Sequence, residues 1–190
     1  MTRTRREMSE QTKRLKDLIK PLASREERAA IDAATDHLRG ELSDRYRFFP
    51  ADVRVEKPRR SGAAVERAVA LLLVDYEGRR TVEVLVNGKG QVSRVTDLTG
   101  FQPGFLSEEV KEARALAERD ERVARARKVR GAFVSAFGPE PSREAGARLV
   151  GLRYAVVDAK GRGRLLGEAV VDLSAQRLAR FDVLGEEEGV

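Results

Sequence analysis

Residues Arg67–Leu98 read RAVALLLVDYEGRRTVEVLVNGKGQVSRVTDL. Three β-type runs are joined there by two tight turns. Ala68–Val74 offers water no polar group on either side, which predicts a central strand. Thr81–Val86 alternates instead, with Val82, Val84 and Val86 on one face. Asn87-Gly88 supplies two residues that accept positive φ, a hairpin signal. Gln91–Leu98 closes the meander.

A second stretch, Leu149–Leu184, repeats the pattern as LVGLRYAVVDAKGRGRLLGEAVVDLSAQRLARFDVL. Sliding the chain by 83 residues puts Asp75 on Asp158 and Gly78 on Gly161. A slide of 85 puts Val86-Asn87 on Val171-Asp172 and Gln91 on Gln176. The difference falls in the Gly161–Gly167 region, a turn, where an insertion costs little. The shift of 83 also carries Ser24 onto Ser107 and Glu26 onto Glu109, each at the head of a helix-patterned segment. The expected class is therefore α+β: a tandem repeat of two modules, each one helix packed on a four-stranded antiparallel sheet.

Bulk properties fit that reading. Hydrophobic residues make up 41% of the 190 and charged residues 36%, which suits a globular protein with a heavily charged surface. The net charge is +6, but 31 acidic residues dilute 37 basic ones, and Glu108–Arg130 mixes both signs almost residue by residue. Such a helix reads as a solvated, ion-paired face rather than a phosphate stripe, and no aromatic is interleaved with a basic run to stack bases. With no Cys, disulfides and thiolate sites are excluded. The N-terminus is basic without an apolar core behind it, so no secretory signal is expected, and no run approaches the ~20 apolar residues of a membrane span. The expected location is the cytoplasm.

In chain order, residues 1–20 form a basic arm or short helix, 21–103 the first module, 104–185 the second, and 186–190 an acidic tail. Ser24 and Glu27 have capping-box spacing, and Ile31, Ala34, Leu38 and Leu42 follow on one helical face. Tyr46–Glu56 reads as a strand and Lys57–Gly62 (KPRRSG) as a loop. Gly100–Gly104 (GFQPG) links the modules. A second helix starts at Ser107, is broken or restarted at Asp120, and runs to Arg130, with Gly131 as its left-handed cap. Strands follow at Ala132–Gly138, Ala147–Asp158, Arg164–Asp172 and Arg177–Val183, the last with Ala179, Phe181 and Val183 on one face.

The order PLASREERAAI, a strand ending in VEKP, the RAVALLLVDYEGRRTVEVLV hairpin, GFQP, and a helix containing Asp120 and Arg130-Gly131 resembles the two N-terminal domains of copper amine oxidases. The likeness spans about Pro21–Leu184 and rests on order and spacing rather than on one motif. It implies paired cystatin-like modules, which in that family are non-catalytic and pack on a catalytic body. The family's quinone-forming Tyr follows Asn, whereas Tyr46, Tyr76 and Tyr154 follow Arg, Asp and Arg; and one His, His37, cannot build a three-His copper site. Neither the family's activity nor its cofactors carry over, so no cofactor and no metal site are expected, and a separately encoded catalytic chain is one partner the resemblance suggests.

Weighed as chemistry, Gly88-x-Gly90 and Gly161-x-Gly163 lie between strands, so they read as hairpin turns and not phosphate loops. Asp75 and Asp158 hold equivalent strand ends; a shared cleft would split their pKa values, while the plain reading is two turn aspartates. Gln91-Val92-Ser93-Arg94 lacks the Gln-x-Val-x-Gly spacing of a cystatin inhibitory loop. Basic side chains at the turns, Arg79, Arg80, Lys89, Arg162 and Arg164, are the candidate binding residues for an acidic partner. The leading expectation is a non-catalytic binding or scaffold protein that holds a partner protein or a second copy of itself. Its alternatives are a small tailoring enzyme or small-molecule binder, with a site in the concave sheet or the inter-module cleft, and nucleic-acid binding through basic turns.

Overall fold

A computed structural model of the protein describes residues 20–56, 66–138 and 146–183. The basic arm before Lys20, the KPRRSG loop, most of the PEPSREAG loop and the acidic tail lie outside the described residues. Two compact units divide the chain, the first running to Asp75 and resuming over Arg80–Leu98, the second holding Tyr76–Arg79 and everything from Thr99. Among the described residues the fold is α+β, with three helices and two antiparallel sheets. No helix among them is long and apolar enough to cross a membrane.

In the first unit, helix α1 (Ser24–His37) is followed by β1 (Tyr46–Phe48), β2 (Asp52–Glu56), β3 (Glu66–Asp75), β4 (Arg80–Asn87) and β5 (Val92–Asp97). The sheet runs β1-β3-β4-β5, with β2 also paired to β3. The strand expected over Tyr46–Glu56 is thus split in two. Phe48 pairs Leu73 and Asp52 pairs Ala70, so the outer chain spends four residues where β3 spends three. Pro50 sits in that bulge, the place where a strand tolerates the loss of an amide. On the inner face Ala30, Ala34 and Leu38 of the helical segment meet Leu71, Leu73, Val82, Val84 and Val86, with Ile31 and Leu42 partly buried beside them. Each fully buried Leu or Val there contributes roughly 1.5–3 kcal/mol.

In the second unit, α2 (Ser107–Ala117) and α3 (Glu121–Lys128) precede β6 (Ala132–Phe137), β7 (Leu149–Val157), β8 (Gly163–Asp172) and β9 (Arg177–Val183). The sheet runs β6-β7-β8-β9. Asp120 restarts the helix by accepting the Arg122 amide at 2.9 Å, and Gly131 follows at φ 79°. Ala113, Leu116, Ala117 and Val123 supply the helical side of a core completed by Leu152, Tyr154, Ala169, Val171 and Phe181.

Both first helices begin in the same way, and not as a Ser24–Glu27 box. The caps are Ala23 and Leu106, whose side chains accept nothing; Glu26 takes the Ala23 amide at 3.0 Å and Glu109 the Leu106 amide at 2.9 Å. Glu27 reaches elsewhere, to the Ala51 amide at 3.2 Å. Each of these reaching glutamates also holds an arginine at the start of a long strand: Arg67, the second residue of β3, for Glu26, and Arg148, just before β7, for Glu109. The arginines in turn donate to the chain ahead of the helix, Arg67 to the Lys20 carbonyl and Arg148 to those of Pro103 and Gly104.

The last hairpins match as well. Register shifts between Leu85 and Val86 in one unit and between Val170 and Val171 in the other. In β9 the shift sets Leu178 opposite Val171 and leaves Ala179 unpaired, so of Ala179, Phe181 and Val183 only Phe181 is buried. The turn after β4 differs from an Asn-Gly two-residue type. Gly90, at φ 74°, bonds the Asn87 carbonyl, while the Asn87 side chain accepts the amides of Lys89 and Gln91. The β7–β8 turn repeats this arrangement with Asp158, Lys160, Gly161 and Arg162.

Candidate functional site

A groove of about 440 Å³ lies in the second unit between the α2–α3 junction and β9, lined by Leu116, Arg119, Asp120 and Arg122 on one side and the run Gln176–Phe181 on the other. Local sequence builds both walls. Because α2 stops at Ala117 with Glu118 as its cap and Asp120 caps α3, Arg119 and Arg122 flank a corner rather than one continuous helical face. The floor is Phe181, whose ring rests on Gly167: a Cβ at that glycine would lie 2.8 Å from the ring. Tyr154 meets Phe181 edge-on at 6.3 Å, and the Arg122 guanidinium sits 5.7 Å above the ring centroid.

Four guanidiniums face one carboxylate in this lining. Asp120 is gripped by Arg122 at 3.1 and 2.9 Å, and these bonds, then the Arg122 amide, hold its pKa down to about 2. Arg180 pairs with Asp182 at 2.8 Å. Arg119 and Arg177 have no carboxylate partner among the described residues, although both are exposed. The groove therefore presents unneutralised positive charge beside an aromatic floor, a combination suited to a carboxylate-bearing ligand with apolar neighbours.

The four arginines and one lysine expected from the sequence are divided between the units, Arg80 and Lys89 in the first and Arg79, Arg162 and Arg164 in the second. Arg80 and Lys89 sit at opposite ends of β4, a strand of eight residues and so roughly 27 Å long. Arg80 is already engaged, donating to the Glu41 carbonyl at 2.6 Å and lying 3.6 Å from Asp75. Arg79 is exposed in the β3–β4 turn at φ 51°. Arg162 pairs with Asp158 at 2.8 Å, and Arg164 is exposed near it at the start of β8. His37 is exposed in the last turn of α1. Asp75 is buried in the first unit and accepts from the Ser43 hydroxyl at 2.5 Å, whereas Asp158 is exposed and accepts its own turn amides, so each carboxylate has a local structural task. Among the described residues no group of three or more His, Asp or Glu is placed to hold a metal.

A second polar cluster of the same unit is closed. The Arg148 guanidinium makes five hydrogen bonds: Nε and Nη2 to the two Glu109 oxygens at 2.8 Å each, Nη1 to Pro103 O and Gln102 Oε1 at 2.8 and 3.1 Å, and Nη2 to Gly104 O at 2.7 Å. Tyr76 and the Leu106 amide also donate to Glu109, and Phe105 lies under the guanidinium at 4.9 Å. All five donors of an arginine are used, so this cluster holds the unit together and offers nothing to a ligand.

The groove went unseen in the sequence because Arg119 and Arg122 belong to a mixed-sign segment that reads as solvated surface. The visible trace was the pair of Arg-x-x-Arg spacings, 119/122 and 177/180, which only the fold brings face to face. No family model matches the chain, and the search of curated proteins gives no match.

Proposed function

We propose that the chain is a non-catalytic binding module, made of two cystatin-like units in tandem in the manner of the N-terminal domains of copper amine oxidases, and that it holds an acidic partner protein. The observation that carries the binding reading is the groove beside β9, where Arg119 and Arg177 have no carboxylate partner among the described residues and lie next to Leu116, Leu178 and Phe181. The tandem reading draws on the glutamate–arginine clasp and the register shift that recur in both units.

A photo-crosslinking residue in place of Leu178 tests this in the native host. An adduct is expected at Leu178, weakened when Arg119 and Arg177 are changed to Glu, and absent when the crosslinker replaces Val95 of the first unit. Equal adducts at both positions, or one indifferent to the arginines, refute the proposal. Light scattering on the purified chain distinguishes a second copy of itself from a different protein.

A second reading, a small anionic ligand, draws on the groove volume, which falls within the roughly 300–1,000 Å³ of small-molecule sites. It expects a thermal shift with citrate or phosphate that the same arginine variants abolish.

A further inference from the structure

The groove differs from an ordinary surface pocket in one respect: six consecutive residues, Gln176 to Phe181, line it. Successive residues of a strand point to opposite faces, so a hollow confined to one face would touch alternate residues only. Here Leu178 and Phe181 stand opposite Val171 and Ala169, while Arg177 and Arg180 stand opposite Asp172 and Val170, the alternate residues of β8 and hence its other face; all four of these β8 residues are buried. Contact with both sets means that the hollow follows the edge of β9. That edge is the end of the sheet: among the described residues β9 pairs with β8 alone.

We propose that β9 receives an acidic extended segment of a partner protein as an added strand, its main chain bonded to the β9 edge and its carboxylates held by Arg119 and Arg177. The proposal rests on the binding reading above and adds the form and chemistry of the occupant. Strand addition takes affinity from main-chain bonds and specificity from what the alternate side chains meet. One side of an added strand would meet Leu116, Leu178 and Phe181, so the fitting segment alternates acidic with apolar residues.

Charges and bulges on edge strands also serve to keep other chains away. That role accounts for Arg177, Arg180 and the irregularity at Ala179. It does not account for Arg119 and Arg122, which come from the helical corner and face the same hollow from the opposite wall. A strand protected only against pairing needs no second row of cations across the gap.

The test uses the full chain and a fluorescent peptide of about eight residues alternating Glu and Val. Comparison peptides carry Lys for Glu, or N-methyl groups at alternate amides, which remove main-chain donors and keep the charge. An oligothymidine of similar charge represents nucleic acid. The acidic peptide is expected to bind at least about tenfold more tightly than each of the other three, to weaken about tenfold with Arg119→Ala and Arg177→Ala together, and to slow amide exchange in β9. Both arginines are exposed, so the double variant is expected to keep the wild-type circular dichroism. Equal binding of the N-methylated peptide, or tighter binding of oligothymidine, overturns strand addition. If no peptide binds while the Leu178 crosslink still forms and depends on the arginines, strand addition falls and the binding reading survives. Loss of both results removes both.

Discussion

Arg148 grips both oxygens of Glu109 at 2.8 Å, with side-chain exposures of 1% and 0%, whereas the corresponding Arg67 and Glu26 keep 21% and 44% in contact with water. One construction thus appears in two dielectric settings. Breaking a buried pair by removing one partner leaves a charge stranded, at about 3–5 kcal/mol, while exposed pairs matter little. Glu109→Gln and Arg148→Met are each expected to destabilise the second unit on that scale, and Arg67→Met to have a much smaller effect. Chemical denaturation followed by unit-resolved amide exchange reads both.

Acid is expected to act through the same residue. Burial alone would raise the Glu109 pKa, but the bonds from Arg148 and the Leu106 amide outweigh it and carry the value below the ordinary 4.5. A depressed folded pKa gives stability that is present above the unfolded value and is lost as pH falls through the folded one. The second unit is therefore expected to weaken below about pH 4.5. Glu109→Gln, less stable at neutral pH, should show a shallower slope there; an unchanged acid limb in urea titrations would contradict this assignment.

Tyr154 carries the opposite signature. Its hydroxyl is buried without a hydrogen-bond partner among the described residues, and burial, then the nearby Glu118 charge, pushes its pKa up to about 12. An unsatisfied buried polar group costs about 1–3 kcal/mol, so Tyr154→Phe is expected to be neutral or stabilising by about 1 kcal/mol. The raised folded value also means that stability falls as pH climbs from 10 towards about 12. Ultraviolet titration should find a tyrosine that ionises near 12 and is lost in Tyr154→Phe, and that variant should flatten the alkaline limb.

Gly167 is expected to tolerate no side chain. A methyl group there would meet the Phe181 ring at 2.8 Å and the Asp182 carbonyl at 2.9 Å. Overpacking of this kind costs about 1–3 kcal/mol. Gly167→Ala should lift Phe181 from its seat and disturb the Arg122 contact above it, which the ring-proton chemical shifts of Phe181 would register.

Much of the architecture was legible from residue patterns. Apolar alternation placed β4, the glycines and Asx residues placed the hairpins, and Asp120 placed the helix break, because each of these signals is local. The split of Tyr46–Glu56 was not legible. The alternation of Val53 and Val55 hid an extra residue that only pairing with β3 reveals. The cap was misplaced by one residue because Ser24 looks like a cap, while the glutamate at Glu26 supplies the bond. Arg148 was invisible for a subtler reason: the 83-residue slide that aligns Glu26 with Glu109 sends Arg67 past its counterpart. The candidate site was the least legible part. Its two walls are 54 or more residues apart in sequence, and their convergence depends on how the helical corner packs on the sheet.

The turn at Asn87 has a bearing on how the molecule ages. Asn-Gly is the dipeptide most prone to lose its side-chain ammonia, yet the two amides that Asn87 holds are accepted by an oxygen, and Asp158 holds an equivalent pair with a carboxylate. Hydrolysis of Asn87 to aspartate would leave the hairpin's bonding intact and only add a negative charge. Damage would come from the isoaspartyl product alone, whose extra backbone carbon moves that oxygen out of reach.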